Sequence, residues 1–355
     1  MSVETRAVPQ NQDPAPAVPA ARPSVVALRG LGLVLTLGAL LLVGLLSVWV
    51  GTRGIPFTST WSLLWHPDGS EASVIIHDYR IPRTLLGLLV GTALGLSGAL
   101  MQALTRNPLA DPGLLGVSLG ASTGVVVAIA FLGVGSVLGH VWFALLGAVV
   151  ATLVVYVLGT SGRTLATPDR LVVAGAAVTA VLYAFNSAVL LLRPRAFDQF
   201  RFWTVGSLAG RYLDVLYVVL PFVAVGVVIA LLLAPALNAL ALGDQLGRAL
   251  GVDVGRTRVL GAVAVMLLCG AATAAVGPVG FVGLAVPHLA RFVVGPDQRW
   301  VMAYSMLFAP VLLIGADVLG RVIGAPGEVQ VGIITAFLGA PLFIALCRRR
   351  KLAML

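Results

Sequence analysis

The sequence has little charge. Only 10% of its 355 residues are charged, whereas 59% are hydrophobic, and the mean hydropathy is +1.02. Soluble globular proteins carry about 25% charged and about 45–50% apolar residues, so this composition excludes a soluble enzyme. A membrane helix needs about 20 apolar residues, and the chain has enough for about ten such helices. The sequence therefore predicts an all-α polytopic membrane protein.

Lysine, cysteine and histidine are scarce, and each shortage excludes a kind of site. Lys351 is the only lysine, so the chain has no Gly-Lys-Ser/Thr motif with which to bind ATP. Cys269 and Cys347 lie far apart in apolar runs, which suggests no disulfide or metal framework. The four histidines lack the spacing of metal ligands, so we expect no metal site and no cofactor in this chain. We interpret His288, beside Pro287, as structural.

Two further patterns are weak signals of chemistry. The run Gly116-Val117-Ser118-Leu119-Gly120 matches the nucleophile elbow of hydrolases, but that turn needs a preceding strand and His and Asp partners. Ser118 lies in an apolar run, so we expect no catalytic residue, and a membrane-embedded serine hydrolase is kept only as an alternative hypothesis. The net charge of +9 comes without a basic stripe interleaved with aromatics, so no nucleic-acid partner is expected.

Ten apolar runs, bounded by charges, Pro or Gly, are predicted to cross the membrane as helices. They lie at about 31–50, 81–104, 114–133, 138–158, 171–192, 215–234, 259–276, 279–295, 301–324 and 331–347. With both termini in the cytoplasm, fifteen basic residues lie inside and eight outside, as the positive-inside rule favours. The Pro/Ala-rich residues 1–30 are then a disordered cytoplasmic tail, 31–347 a ten-helix membrane domain, and 348–355 a basic cytoplasmic C-terminus.

Small residues and the few charges inside the runs carry further expectations. Gly91, Gly95 and Gly98 have small-xxx-small spacing, which favours close helix packing within the bundle, or a subunit interface or moving gate. Asp317 precedes Arg321 by four residues, so we expect an ion pair on one helix face near the outer end of the ninth run. An ion-coupled carrier needs ionisable groups at membrane depth; the bare runs argue against this alternative.

The cytoplasmic segment 235–256 separates the sixth and seventh runs. It is amphipathic and interrupted by Gly243, Gly247 and Gly251 at intervals of four residues. Two short helices with glycine hinges would make a rigid knob on the cytoplasmic face. A loop helix lying on the bilayer surface is an equally open interpretation.

Several motifs, in order along residues 80–345, carry a resemblance to a known family. They are Arg80-Ile81-Pro82-Arg83-Thr84-Leu85, Gln102, Arg106-Asn107-Pro108-Leu109-Ala110-Asp111-Pro112, Leu242-Gly243-Asp244, Leu250-Gly251-Val252, Gly277-Pro278-Val279-Gly280-Phe281-Val282-Gly283-Leu284, Pro287-His288, Arg291, Ala316-Asp317, Arg321, Glu328 and Gly339-Ala340-Pro341. Together they resemble the permease subunit of the type II ABC importers that take up ferric siderophores, haem and cobalamin.

This resemblance implies an assembly. The family has ten helices per subunit and works as a dimer of permease subunits, here two copies of this chain or this chain with a homologue, in the bacterial cytoplasmic membrane. Two cytoplasmic ATPase subunits bind ATP and Mg, and an extracytoplasmic substrate-binding protein delivers the cargo. We expect a ferric siderophore as cargo, with cobalamin or haem as alternatives, and membrane lipid around the helices.

The resemblance also implies roles for particular residues. Arg80, Arg83 and Arg321 would dock acidic side chains of the binding protein, since the planar guanidinium binds carboxylates bidentately; snorkelling to the interface is the competing interpretation. The residues expected to couple to the ATPase are Leu242, Gly243, Asp244, Gly247, Leu250, Gly251 and Val252. Thr167 and Pro168 align loosely with the inner gate. A final cluster, open between attracting the cargo or binding protein and snorkelling, is Arg193, Arg195, Arg201 and Arg211.

Overall fold

The computed structural model describes residues 25–160 and 168–348, and this part of the chain is helical, with no strand. Its α-helices are connected by short loops, by a π-helical turn at Ile75–Arg80 and by a 3-10 turn at Pro112–Leu115. The α-helices are α1 (Val25–Trp49), α2 (Phe57–Trp65), α3 (Glu71–Val74), α4 (Ile81–Thr105), α5 (Val117–Leu132), α6 (Val137–Thr160), α7 (Pro168–Leu192), α8 (Pro194–Thr204), α9 (Leu213–Ala241), α10 (Asp244–Ala249), α11 (Val254–Val276), α12 (Val282–Val294), α13 (Gln298–Ile323) and α14 (Val331–Arg348).

Within residues 25–160 and 168–348, seven helical stretches are long and apolar enough to cross a membrane. They are α1, the continuous stretch Glu71–Thr105 that ends with α4, and α6, α7, α9, α11 and α13. The remaining three predicted runs coincide with the shorter apolar helices α5, α12 and α14. With 16 residues in α5 and 13 in α12, these two are about 24 and 20 Å long, less than the roughly 30 Å hydrocarbon core.

Three predicted segment boundaries differ from those of the structure. Helix α1 begins at Val25, inside the segment 1–30 that the composition assigned to a tail, while residues 1–24 and 349–355 lie outside the described part. Helix α9 continues through Pro235 to Ala241, and α11 already begins at Val254. The predicted segment 235–256 is therefore helical at both ends, and only residues 242–253 connect the two long helices.

Helix α4 lies in the middle of the bundle and packs against α13, α11, α12 and α9. Its glycines allow the other backbones to come close. A Cβ placed on Gly91 would overlap the backbone of Pro310 in α13, and one on Gly98 would overlap the backbone of Gly283 in α12. The small-residue spacing read from the sequence thus corresponds to backbone-to-backbone packing inside one chain.

The helix ends gather at two opposite faces of the bundle, named here after the predicted sidedness. The outer end is where α1 and α13 finish and α4 begins, and hydrogen bonds join these three helix ends. The inner end is where α4 and α9 finish and α11 begins, and ion pairs join Arg106, Asp244 and Arg258 there. The predicted docking residues lie at the outer end, and the predicted coupling residues at the inner end.

Candidate docking and coupling sites

At the outer end, Arg80 caps the C-terminus of α1. Its Nη1 donates to the carbonyl oxygens of Val48 and Trp49 at 3.0 and 2.6 Å, and its Nη2 donates to that of Arg53 at 2.7 Å. The last carbonyl groups of a helix lack partners within the helix, and a cation there also interacts favourably with the helix dipole. Arg80 is 5% exposed, so its guanidinium is used inside the chain.

Arg321 caps the same helix end from α13. Its Nη1 donates to the carbonyl oxygens of Ser47 and Val50 at 2.7 and 3.0 Å, and its Nη2 donates to the Ser47 hydroxyl at 3.0 Å. It also pairs with Asp317 on its own helix, which confirms the ion pair expected from the four-residue spacing. Arg321 is 2% exposed.

Arg83 connects α4 to α13 and to the loop before α14. Its Nε and Nη2 donate to the carboxylate of Asp317 at 2.9 and 2.7 Å, and its Nη1 donates to Glu328 at 2.8 Å. Asp317 therefore lies between two guanidinium groups, with a side chain that is 2% exposed. Charge-assisted bonds of this kind are strong when every partner is satisfied.

The three arginines that the family resemblance assigns to docking thus differ in how much surface they offer. Arg80 and Arg321 are buried and bonded within the chain. The side chain of Arg83 is 12% exposed, and its partner Glu328 is partly open to solvent. Docking of a partner carboxylate on these residues stays a prediction. Of the three, Arg83 is the most accessible.

A pocket of about 380 Å³ opens at the outer end beside these residues. We call it the arginine pocket. Tyr79, Ala209, Gly210 and Glu328 contribute to its wall. Its five arginines are Arg53, Arg80, Arg83, Arg211 and Arg321. The sequence motifs indicated three of these; Arg53 and Arg211 come from loops whose approach to α4 no local pattern reveals.

The four arginines crowded around α8 separate in the structure. Arg193 donates to the carbonyl oxygen of Ala130 and stacks over Phe131, and Arg201 pairs with Asp198 on its own helix at 3.6 Å. Arg195, in the first turn of α8, lines a separate pocket together with Arg193. Only Arg211, among these four, lines the arginine pocket.

At the inner end, the predicted coupling residues form one short helix between two glycine turns. Gly243 has φ of +110° and Gly251 has φ of +84°, values that favour glycine. Gly247 is buried against α9, and Val252 packs against the core. One helix, α10, stands where two short helices were expected, because the first part of the segment continues α9. The side chains that α10 and its flanks present outward, each more than half exposed, are Leu242, Leu246 and Leu250.

Asp244 holds this segment, here called the α10 knob (residues 242–252), to the rest of the bundle. Its carboxylate pairs with Arg106, which ends α4, and accepts a hydrogen bond from Arg258 of α11 at 2.8 Å. Partial burial acts to raise the pKa of Asp244, but the hydrogen bond from Arg106 and the charges of both arginines outweigh it and lower the pKa below its usual value. The knob is therefore fixed to two long helices.

Two other motif residues meet where α4 passes α12. The amide of Gln102 donates to the carbonyl oxygen of Leu284 at 3.1 Å, and Arg291 donates to the amide oxygen of Gln102. Motif residues separated by 182 and 189 positions are thus joined near the inner end. Of the predicted inner gate, Thr167 lies outside the described residues, and Pro168 is the first residue of α7.

The residues that resembled enzymatic or metal sites have other surroundings. The Ser118 hydroxyl lies 3.9 Å from the sulfur of Cys269, and residues 25–160 and 168–348 contain no cluster of His, Cys, Asp and Glu that could hold a metal. His288 lies on α12, one residue after the helix proline Pro287.

The chain matches a known protein family and is similar to several transport proteins in sequence and to a solved transporter in structure. The FecCD transport family matches residues 39–349. The ferric enterobactin transport system permease protein FepD of Escherichia coli is 46% identical over 327 residues, covering 92% of this chain and 98% of FepD. The probable siderophore transport system permease protein YfiZ of Bacillus subtilis is 39% identical, covering 85% and 91%. A solved metal-chelate type ABC transporter in an inward-facing conformation has a TM-score of 0.79 at 26% identity, covering 90% and 99%.

Proposed function

This chain belongs to the FecCD transport family, and we propose that, as the permease of an ATP-binding-cassette importer, it moves an iron chelate across the bacterial cytoplasmic membrane. The observation that supports an iron chelate as the cargo is the 46% identity, along nearly the full length of both chains, to a relative named for ferric enterobactin. A second relative is named for siderophore transport. Cobalamin and haem are the alternative cargoes, and an ion-coupled carrier is the alternative mechanism.

The proposed topology has ten spans with both termini in the cytoplasm. Seven helical stretches of the described residues are long enough by themselves, and the short helices α5, α12 and α14 would complete the set where the protein surrounds them. The count of basic residues along the chain, fifteen on the cytoplasmic side against eight outside, supports this sidedness by the positive-inside rule. The working unit is a pair of permease subunits, either two copies or a homologous pair.

ATP would be hydrolysed by a separate cytoplasmic subunit, with its Mg. The α10 knob is the proposed contact. Leu242, Leu246 and Leu250 expose apolar surface at the inner end, while Asp244 and its two arginines tie the knob to α4 and α11. A movement imposed on the knob is then passed to two helices at once, which would open the inner side at the predicted gate, Thr167 and Pro168.

The extracytoplasmic binding protein would dock at the outer end, on Arg80, Arg83 and Arg321. Arg83 supports this proposal best, since its side chain reaches the arginine pocket and one of its partners, Glu328, is partly exposed. Guanidinium groups bind carboxylates in a planar, bidentate geometry, and complementary charges steer association.

Uptake into proteoliposomes tests this function. The vesicles would contain the chain with its ATPase and binding protein, and radiolabelled ferric siderophores, haem and cobalamin would be offered with and without internal ATP. ATP-dependent accumulation of a ferric siderophore is expected, and the α10 variant Leu250→Ser should reduce it. If only cobalamin or only haem accumulated, that compound would be the cargo and the assignment to a ferric siderophore would be wrong. Accumulation without ATP, following an imposed ion gradient, would overturn the importer mechanism.

A further inference from the structure

The arginine pocket carries more positive than negative charge. Five arginines line it, but three carboxylates pair with them: Glu71 with Arg53, Asp317 with Arg83 and Arg321, and Glu328 with Arg83. Arg80 is satisfied by carbonyl oxygens alone. The pocket therefore holds an excess of two positive charges that no acidic side chain of the described residues balances.

Arg211 is the arginine of this pocket with unused hydrogen-bonding capacity. It follows Gly210, whose φ of +66° turns the chain from α8 toward α9. Among the described residues it has no carboxylate partner, and its buried Nε has no acceptor. Burial lowers the pKa of Arg211, which means that its charged form lacks the stabilisation that a nearby anion would supply. A buried polar atom without a hydrogen-bond partner is costly, and a carboxylate that accepts from this Nε would remove that cost.

We propose that Arg211 is a docking residue that receives a carboxylate side chain of the substrate-binding protein in the arginine pocket. The inference rests on the proposed function, and it places the first contact on Arg211 because Arg80 and Arg321 are already used to cap α1. A volume of about 380 Å³ lies at the small end of the roughly 300–1,000 Å³ range of ligand pockets. That space admits an acidic side chain, and Arg83, which lines the same pocket, would complete a two-arginine clamp with Arg211.

A reporter thiol tests the charge of the pocket without any partner. Ala209→Cys places a thiol in the pocket wall of the full chain in vesicles, in a Cys347→Ser background, since Cys269 is buried. The measured quantity is the rate of reaction with an anionic methanethiosulfonate divided by the rate with a cationic one. This ratio should be about tenfold higher with Arg211 present than after Arg211→Gln, because local positive potential concentrates anions. Equal rate ratios with and without Arg211→Gln would overturn the proposal.

Affinity for the binding protein tests the partner. In the complete transporter, Arg211→Gln should weaken binding by about tenfold and flatten its salt dependence, and Arg211→Glu should weaken it further. Arg211→Lys should recover part of the loss. The matched control is Arg201→Gln, which removes an exposed arginine already paired on α8 and should leave the affinity unchanged.

The outcomes separate this inference from the function on which it rests. If Arg83→Gln weakens binding and Arg211→Glu does not, the docking function stands and the role of Arg211 is wrong. If Arg211→Glu slows uptake with unchanged affinity for the binding protein, the pocket serves the anionic cargo instead, which also overturns the proposal. If the unaltered transporter binds no substrate-binding protein, the proposed function itself fails.

Discussion

Each end of the bundle holds one carboxylate between two arginines, and the two clusters differ in burial. At the outer end Asp317, with a side chain 2% exposed, bonds Arg83 and Arg321. At the inner end Asp244, with a side chain 31% exposed, bonds Arg106 and Arg258. The same arrangement therefore has two consequences. The buried cluster holds α1, α4 and α13 together, whereas the exposed one orients a surface that another protein would contact.

The largest effect should come from removing the buried carboxylate. Asp317→Asn leaves the guanidinium groups of Arg83 and Arg321 buried without their shared counter-ion, and breaking a buried pair costs about 3–5 kcal/mol. The matched change, Asp244→Asn, affects a cluster that is open to solvent and should cost about 1 kcal/mol or less. Unfolding in mixed detergent micelles, followed by circular dichroism, measures both free energies. Equal losses at the two ends would contradict the difference inferred from burial.

A methyl group beside Arg80 should have the next largest effect. The Cβ of Gly51→Ala would lie 2.8 Å from the guanidinium carbon of Arg80. Arg80 holds three carbonyl groups at once, so it can move away only by giving up the cap of α1. We expect a loss of about 1–3 kcal/mol in the free energy of unfolding, as for other overpacked sites.

The control for this change is three residues away. Gly54→Ala adds the same methyl group where nothing lies within 4 Å, and it should leave the unfolding free energy unchanged within about 0.5 kcal/mol. A similar loss for both variants would mean that the effect comes from the loop after α1 in general and not from displacement of the Arg80 cap.

How much of this could be predicted depends on the distance along the chain between partners. The pair Asp317–Arg321 was visible because a helix brings residues four apart onto one face. Arg83 is separated from Asp317 by 234 positions, and no local pattern shows that α4 and α13 begin and end side by side. The ten apolar runs were also visible, and each one coincides with a helix.

The roles of the outer arginines show what local patterns leave out. The motif Arg80-Ile81-Pro82-Arg83 marks both arginines alike, yet Arg80 turns toward the carbonyl groups of α1 and Arg83 toward Asp317 and Glu328. The direction of each follows from its position on the helix relative to its neighbours. Arg211 lay in a crowd of four arginines in the sequence, and only the folded loop after α8 brings it into the arginine pocket.

The α10 knob should respond in function and not in stability. Leu250→Ser removes an apolar side chain that is more than half exposed, so the unfolding free energy should stay unchanged. If this surface contacts the ATPase, affinity for that subunit should fall about tenfold, since a central apolar contact is worth more than about 1 kcal/mol. Co-purification and ATP-driven uptake measure the loss. The control is Leu109→Ser, which changes an exposed leucine outside the α10 knob. An equal defect in this variant would mean that the contact with the ATPase extends beyond α10.

The smallest effect concerns the pH and salt dependence of the exposed cluster. The pKa of Asp244 is lowered by Arg106 and Arg258, so its contribution to stability is complete above the unfolded pKa of about 3.9 and disappears as the pH falls through the lowered folded value. The difference in unfolding free energy between the unaltered protein and Asp244→Asn, below about 1 kcal/mol, should therefore stay constant from pH 8 to pH 5. Raising the salt concentration to 1 M, where the Debye length is about 3 Å, should shrink it. Convergence of the two proteins near pH 6 would mean that Asp244 takes up a proton there, and would contradict the lowered pKa.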